Sequence, residues 1–171
     1  KKVFKKIMFF YKLSGYRMAA DEAYLIIRGL RTLDVRLKQH FENTKQIIKF
    51  LKKQKKIKEI LYPHNPSSKN YKLWKKYYSG ATGLLSIVIK SKKKASVIKF
   101  VNSLELFGIG YSWGGFESLA ILQDLRKRSE YIKGRTYFRF NNDEYSVRLH
   151  IGREHPQDLI NDLKNSLKFI K

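Results

Sequence analysis

Cysteine is absent from all 171 residues, which excludes disulfides, thiolate metal ligands and a cysteine nucleophile. No apolar run approaches the roughly 18 residues of a membrane-spanning helix. The four histidines, at positions 40, 64, 150 and 155, form no close pair with metal-ligand spacing. The Gly-x-Ser-x-Gly elbow of serine hydrolases is missing. Gly108-x-Gly110 followed by Gly114-Gly115 lacks the third glycine and the helix–strand order of a dinucleotide fingerprint.

Acidic residues are also scarce, 14 against 37 Lys and Arg, for a net charge of +23. A nucleic-acid domain gathers such charge on one face and interleaves stacking aromatics. Here the lysines are spread: Lys52-Lys53, Lys55-Lys56, Lys75-Lys76 and Lys92-Lys93-Lys94 fall at helix ends and loops. A general drift towards Lys, Ile and Asn accounts for the charge, and the expectation is non-specific attraction to polyanions at low salt without specific nucleic-acid binding.

A hydrophobic fraction of 43% with 14% aromatics argues for a folded domain with a real core. Residues 1–13 place lysines around Ile7-Met8-Phe9-Phe10, too short an apolar stretch for a signal peptide and without a small-residue cleavage site. They read as an amphipathic helix ended by Ser14-Gly15, and the expected location is cytoplasmic. Asp21 is the expected N-cap of a second helix, with Glu22 in its first turn and Gly29 as an interruption or bend. From Thr32, Leu33, Leu37, Phe41, Thr44, Ile47, Ile48 and Leu51 keep three-and-four spacing over about five turns.

Residues 57–62 read as a strand stopped by Pro63 and Pro66, followed by Trp74, Tyr77 and Tyr78 as packing residues. An apolar strand over 84–89 precedes a helix over 93–104 that buries Val97, Ile98, Val101 and Leu104. The stretch 123–145 has no clean period. A strand over 146–151 leads to a last helix with Pro156 in its first turn, burying Leu159, Ile160, Leu163, Leu167 and Ile170. The whole reads as one α+β domain, helices packed on a small sheet.

Two segments stand apart. Tyr111-Ser112-Trp113-Gly114-Gly115-Phe116-Glu117-Ser118 packs three aromatics, two hydroxyls and a Gly-Gly step into eight residues. The step permits positive φ and close approach, so the segment is either a plain turn or one that aims Ser112 and Trp113 into a cavity. Arg148 sits within the alternating run Val147-Arg148-Leu149-His150-Ile151-Gly152. A buried guanidinium requires an anionic partner and its fork fits a carboxylate bidentately. That partner is an internal acid, such as Glu117 or Glu154, or a ligand. Arg28-Gly29-Leu30-Arg31-Thr32-Leu33 fits a helix boundary with solvated arginines as well as polar positioning around a neighbouring domain.

Taken together the chain resembles the C-terminal part of the pyridoxal-phosphate enzymes of cysteine and methionine metabolism. The resemblance runs through Asp21-Glu22-Ala23-Tyr24, the arginine pair at 28 and 31, Arg36-Leu37 with His40 and Asn43, Tyr62-Pro63, Gly80 with Gly83-Leu84, the 111–118 stretch, and Arg148-Leu149-His150-Ile151-Gly152 with Glu154, Asp158-Leu159-Ile160 and Asp162-Leu163. Where the γ-synthases and γ-lyases carry Ser-Leu-Gly-Gly, this chain has Ser112-Trp113-Gly114-Gly115, a form similar to the bacterial cystathionine β-lyase branch.

The resemblance implies the small C-terminal domain of a fold-type I enzyme over 21–171, with 1–20 the remainder of the helix joining it to a large domain. It implies cleavage of L-cystathionine to homocysteine, pyruvate and ammonia, a step towards methionine, by a homo-oligomeric enzyme. Arg148 matches the arginine that grips the substrate α-carboxylate, and Tyr111, Ser112 and Trp113 the substrate end of the pocket, Ser112 near the catalytic lysine. The departure concerns the cofactor. The family's Schiff-base lysine, the aspartate under the pyridine nitrogen and the phosphate loop have no counterpart here, since Thr44-Lys45, Ser68-Lys69 and Ser91-Lys92 fall in the wrong elements. The cofactor supplies the electron sink, so the expectation is a fragment inactive alone, lacking the catalytic lysine and the pyridoxal 5'-phosphate domain. The alternatives are a degenerate remnant or a basic binding module.

Overall fold

The computed structural model describes residues 1–123 and 140–171, and they form two compact units, Lys1–Val35 and Arg36–Lys171. The first unit contains α1 (Lys2–Ser14) and α2 (Ala20–Leu30), neither with a buried residue. Gly15 closes α1 at φ 67°, a left-handed position that glycine occupies without a Cβ clash. The N-terminus of α2 corrects the expectation of an Asp21 cap. The N-cap is Ala19, because the Glu22 carboxylate reaches back to accept the Ala19 N–H at 2.8 Å, the acidic half of a capping box. Nor does Gly29 break the helix, which continues through it to Leu30.

The long helix α3 (Leu33–Leu51) enters the second unit. Its buried residues are His40, Asn43, Thr44, Ile47, Ile48 and Leu51, whereas Leu33 and Leu37 are exposed. Spacing alone placed those leucines inside. The helix instead turns three polar side chains inwards, His40, Asn43 and Thr44, and each finds a backbone acceptor.

The sheet has order β1-β2-β5-β4-β3: β1 (Ile57–Leu61), β2 (Leu84–Lys90), β5 (Glu144–His150), β4 (Leu119–Gln123) and β3 (Gly108–Ile109). All pairings are antiparallel except β3 with β4. The register slips between Ile57 and Glu59, so Lys58 is an extra residue on an edge strand, and its ammonium reaches Glu144 on β5. Among the described residues, α4 (Tyr71–Tyr77), α5 (Lys94–Asn102) and α6 (Pro156–Ser166) are the remaining helices, followed by a final 3-10 turn, Leu167–Phe169. Pro156 occupies the first turn of α6, where its missing N–H costs nothing.

Strand alternation sorts the side chains. Leu85, Ile87 and Ile89 of β2 and Tyr145, Val147 and Leu149 of β5 join α3, α5 and α6 through Ile47, Leu51, Val97, Phe100, Leu159 and Leu163 in one apolar cluster. The opposite face carries the other register set, Ser86 beside Arg148 and Leu84 beside His150. The fold class, α+β with helices packed on a small sheet, is as the sequence indicates.

Several packing expectations need correction. Tyr77 and Tyr78 are about two-thirds exposed and Ile98 is exposed, because α5 turns Phe100 inwards beside Val97 and Val101. Trp74 packs as expected, with its ring 4.4 Å from His64 and 5.7 Å from Tyr71. Ile160 is partly buried against the core. Most of the patternless 123–145 stretch, residues 124–139, lies outside the described residues.

Candidate functional site

The site is built on the C-terminal end of β5, where residues 110–118 and α3 converge. Arg148 lies mid-strand, flanked by Ser86 on β2 and Ile121 on β4. It is half-buried. Its Nη2 donates to the Tyr111 carbonyl at 2.5 Å and to that of Gly110 at 3.4 Å. A guanidinium has five N–H donors, and those on Nε and Nη1 meet no acceptor among the described residues. The internal ion pair with Glu117 or Glu154 does not form. Glu154 is engaged elsewhere, its carboxylate accepting the Ser118 backbone N–H at 2.7 Å and the Ser118 hydroxyl at 2.8 Å.

Those contacts belong to a row of staples. The Ser118 hydroxyl accepts the Gly152 N–H at 2.8 Å, and Arg153 N–H donates to the Phe116 carbonyl at 2.8 Å. A Cβ on Gly152 would fall 2.4 Å from the Phe116 oxygen, so only glycine lets strand and segment approach this closely. From α3, His40 Nδ1 donates to the Ile151 carbonyl at 2.7 Å, and the Asn43 amide donates to the Gly152 and Glu154 carbonyls at 3.1 and 2.9 Å. The polar inner face of α3 thereby satisfies carbonyls that the sheet leaves free once the β5 ladder stops, where an unpaired buried group would be costly.

Held this way, residues 111–113 form a wall whose side chains stand free: Tyr111 is 76% and Trp113 63% exposed, and Ser112 is exposed too. Gly114 has φ 87°, the positive value expected of the Gly-Gly step. The structure brings Arg148 and Tyr111 together and places Ser112 and Trp113 on the same segment. His150 was not singled out as a site residue, although strand period flags it: Ser146, Arg148 and His150 are polar residues two apart on one face. Its Nε2 lies 3.1 Å from Gly114 N and 3.2 Å from the Gly115 oxygen. Burial pushes the imidazole below the ordinary histidine value, partly opposed by the Gly115 carbonyl.

Two clefts lie elsewhere, one of about 870 Å³ along β1 and one of about 460 Å³ between α3 and residues 77–82; neither is lined by Arg148 or the wall. Among the described residues no cluster of three His, Asp or Glu could hold a metal, and no helix is long and apolar enough to cross a membrane. The three Ser/Thr-Lys pairs sit in α3, before α4 and between β2 and α5, with every lysine exposed. None lies on β5 or on the wall.

The chain and its fold have parallels among known proteins. Residues 1–168 match the Cys/Met metabolism PLP-dependent enzyme family, and the chain belongs to that family, whose members depend on pyridoxal phosphate. It is 39% identical over 155 residues to cystathionine beta-lyase of Bordetella avium, covering 90% of this chain and 37% of that protein. It is 36% identical to the L-alanine/L-glutamate racemase of Wolbachia pipientis, covering 96% and 40%. Among solved structures, cystathionine gamma synthase from Xanthomonas oryzae superposes with a TM-score of 0.78 at 26% identity, over 98% of this chain and 43% of that one. The chain thus spans about two fifths of the length of these proteins.

Proposed function

We propose that this chain is the substrate-gripping C-terminal portion of a carbon–sulfur lyase of the cystathionine β-lyase type, acting on L-cystathionine or a related sulfur amino acid. The observation that carries the reading is Arg148, whose Nη2 is anchored on the wall's carbonyls while its other donors meet no carboxylate among the described residues. Such a group is held ready to pair with an α-carboxylate through its remaining N–H donors. Arg148 orients the substrate, and Tyr111, Ser112 and Trp113 close round its distal end, with Ser112 nearest the catalytic lysine. The Tyr-Ser-Trp-Gly-Gly wall favours the β-lyase over the other chemistries in the family.

In this proposal the pyridoxal phosphate, which supplies the electron sink when bound, is held by residues beyond these 171, on the same or a second polypeptide. Residues 1–20 end the helix joining that large domain to the small one formed by 21–171. The exposed Phe9 and Phe10 of α1 are surface that the larger domain covers. The assembled enzyme is a homo-oligomer of the cytoplasm.

Pyruvate release tests the reading. Supplied with the cofactor-binding portion of a related lyase, the chain should form pyruvate from L-cystathionine. Racemisation of alanine without pyruvate would instead place it with the racemase relative. Pyridoxal phosphate added to the chain alone should give no saturable absorbance band. A stoichiometric band abolished by replacing one lysine would overturn the placement of the cofactor site.

A further inference from the structure

The cleft of about 870 Å³ along β1 is lined neither by Arg148 nor by the wall, and its volume falls within the roughly 300–1,000 Å³ of small-molecule sites. Its floor is the sheet face opposite the apolar core. Glu59 of β1 pairs with Val88 of β2, which pairs in turn with Ser146 of β5. Glu59 and Ser146 therefore lie in one cross-strand row on one face. Ser86, half-buried, lies on that face two residues before Val88, and all three polar residues line the cleft. Ser146 is 2% exposed, and its Oγ has no hydrogen-bond partner among the described residues. A buried hydroxyl left unpaired is a cost that a bound ligand can remove.

The other end of the cleft is the loop over residues 63–70. It folds through successive turns, with the Asn65 N–H donating to the Tyr62 carbonyl at 2.9 Å and the Ser68 N–H to the Asn65 carbonyl at 2.8 Å. Lys52, just past α3, reaches this loop, and its Nζ donates to Asn65 Oδ1 at 3.0 Å. An ammonium has three donors, and that bond uses one. Lys69 follows in the same loop and is exposed. Among the described residues neither lysine is ion-paired, whereas Lys58, the third lysine of the lining, is taken by Glu144.

We infer that this cleft binds a phosphate monoester of a small hydroxylated compound, of the sugar-phosphate class, in one orientation. The phosphate lies at the loop end with Lys52 and Lys69, and the alcohol groups meet Glu59, Ser86 and Ser146 at the sheet end. Lysine ammoniums suit phosphate as point charges, while a carboxylate and two serine hydroxyls accept from alcohols and donate to them. The one aromatic ring among the described lining residues, Tyr62, is 4% exposed, and its hydroxyl donates to the Thr82 carbonyl at 2.9 Å. The cleft thus offers no stacking face for a nucleobase. The inference holds whichever substrate Arg148 grips.

Amide NMR of the intact chain at physiological salt, titrated with glucose 6-phosphate and separately with inorganic phosphate, tests it. Glucose 6-phosphate should give saturable shifts at both ends, at Ser68 and Lys69 and at Ser86 and Ser146. Inorganic phosphate should shift the loop end alone. Lys52→Gln combined with Lys69→Gln should weaken both probes by roughly tenfold or more. Ser146→Ala should weaken glucose 6-phosphate severalfold and leave inorganic phosphate unchanged. It should not lower the urea midpoint of the free chain, because the hydroxyl it removes has no partner there. A fall in that midpoint would show the hydroxyl already satisfied and overturn the assignment of the sheet end. No saturable shift with either probe, shifts spread over the lysine-rich surface, or undiminished affinity in the double-lysine variant would overturn the site.

Discussion

Helices α2 and α6 are both 11 residues long and both amphipathic, yet α6 buries Leu159, Asp162, Leu163 and Ser166 while α2 buries nothing. Tyr24, Leu25, Ile26, Ile27 and Leu30 of α2 all remain at least half exposed. The difference lies in the partner. α6 lies on a sheet whose inner face supplies Val147, Leu149 and Ile87, and α2 has no such surface within its own unit. An apolar stripe states that a helix needs covering, and the rest of the polypeptide decides whether this chain provides the cover. For α2 we assign the cover to the larger cofactor-binding domain.

Substitutions on the two helices should separate these cases sharply. Leu163 is fully buried, and Leu163→Ala should cost about 2–5 kcal/mol in urea unfolding, as cavities in packed cores do. Next comes Asp162, whose carboxylate accepts the backbone N–H groups of Glu105 and Leu106 at 2.8 to 3.2 Å. Asp162→Ala orphans both donors and should cost about 1–3 kcal/mol. Leu25→Ala on α2 should shift unfolding by no more than about 0.5 kcal/mol. A loss at Leu25 comparable to that at Leu163 would show that α2 is covered within this chain. What Leu25→Glu with Ile26→Glu should change is self-association, which light scattering would report as a fall in apparent mass.

A smaller effect tests the edge of the sheet. The hydrogen bond from Lys58 holds the Glu144 carboxyl below its usual range, helped by the Asn141 backbone N–H. A depressed carboxyl contributes stability that is complete above the ordinary value of about 4.3 and is lost as pH falls through the folded-state value. The urea midpoint should therefore drop on the acid side, and Glu144→Gln should flatten that drop while leaving α2 unaffected.

Which parts were legible in the sequence follows from the same physics. β2 and β5 announced themselves through β-branched and alternating residues, and α6 through its proline and leucine spacing. β4 did not, because Leu-Ala-Ile-Leu-Gln over Leu119–Gln123 shows no apolar–polar alternation. The N-cap of α2 was misplaced because Asp21 is the better capping residue in isolation, whereas Glu22 reaching back to Ala19 fixes the actual start. At the site, Arg148 was legible as a lone charge in an apolar run, and its anchoring on Tyr111 was not, since that contact joins residues 37 apart. The roles of His40, Asn43 and Glu154 were equally hidden: each acts on backbone far along the chain, and sequence spacing carries no trace of such pairings.

The central proposal is that the Arg148 donors without an acceptor among the described residues pair with a substrate carboxylate. Steady-state turnover of L-cystathionine by the chain joined to a cofactor-binding portion, compared with its Arg148→Ala variant, tests this most directly. A fall in kcat/KM worth about 2–5 kcal/mol, roughly 30- to 5,000-fold, is the predicted result. Unchanged kcat/KM in the folded variant would contradict the account.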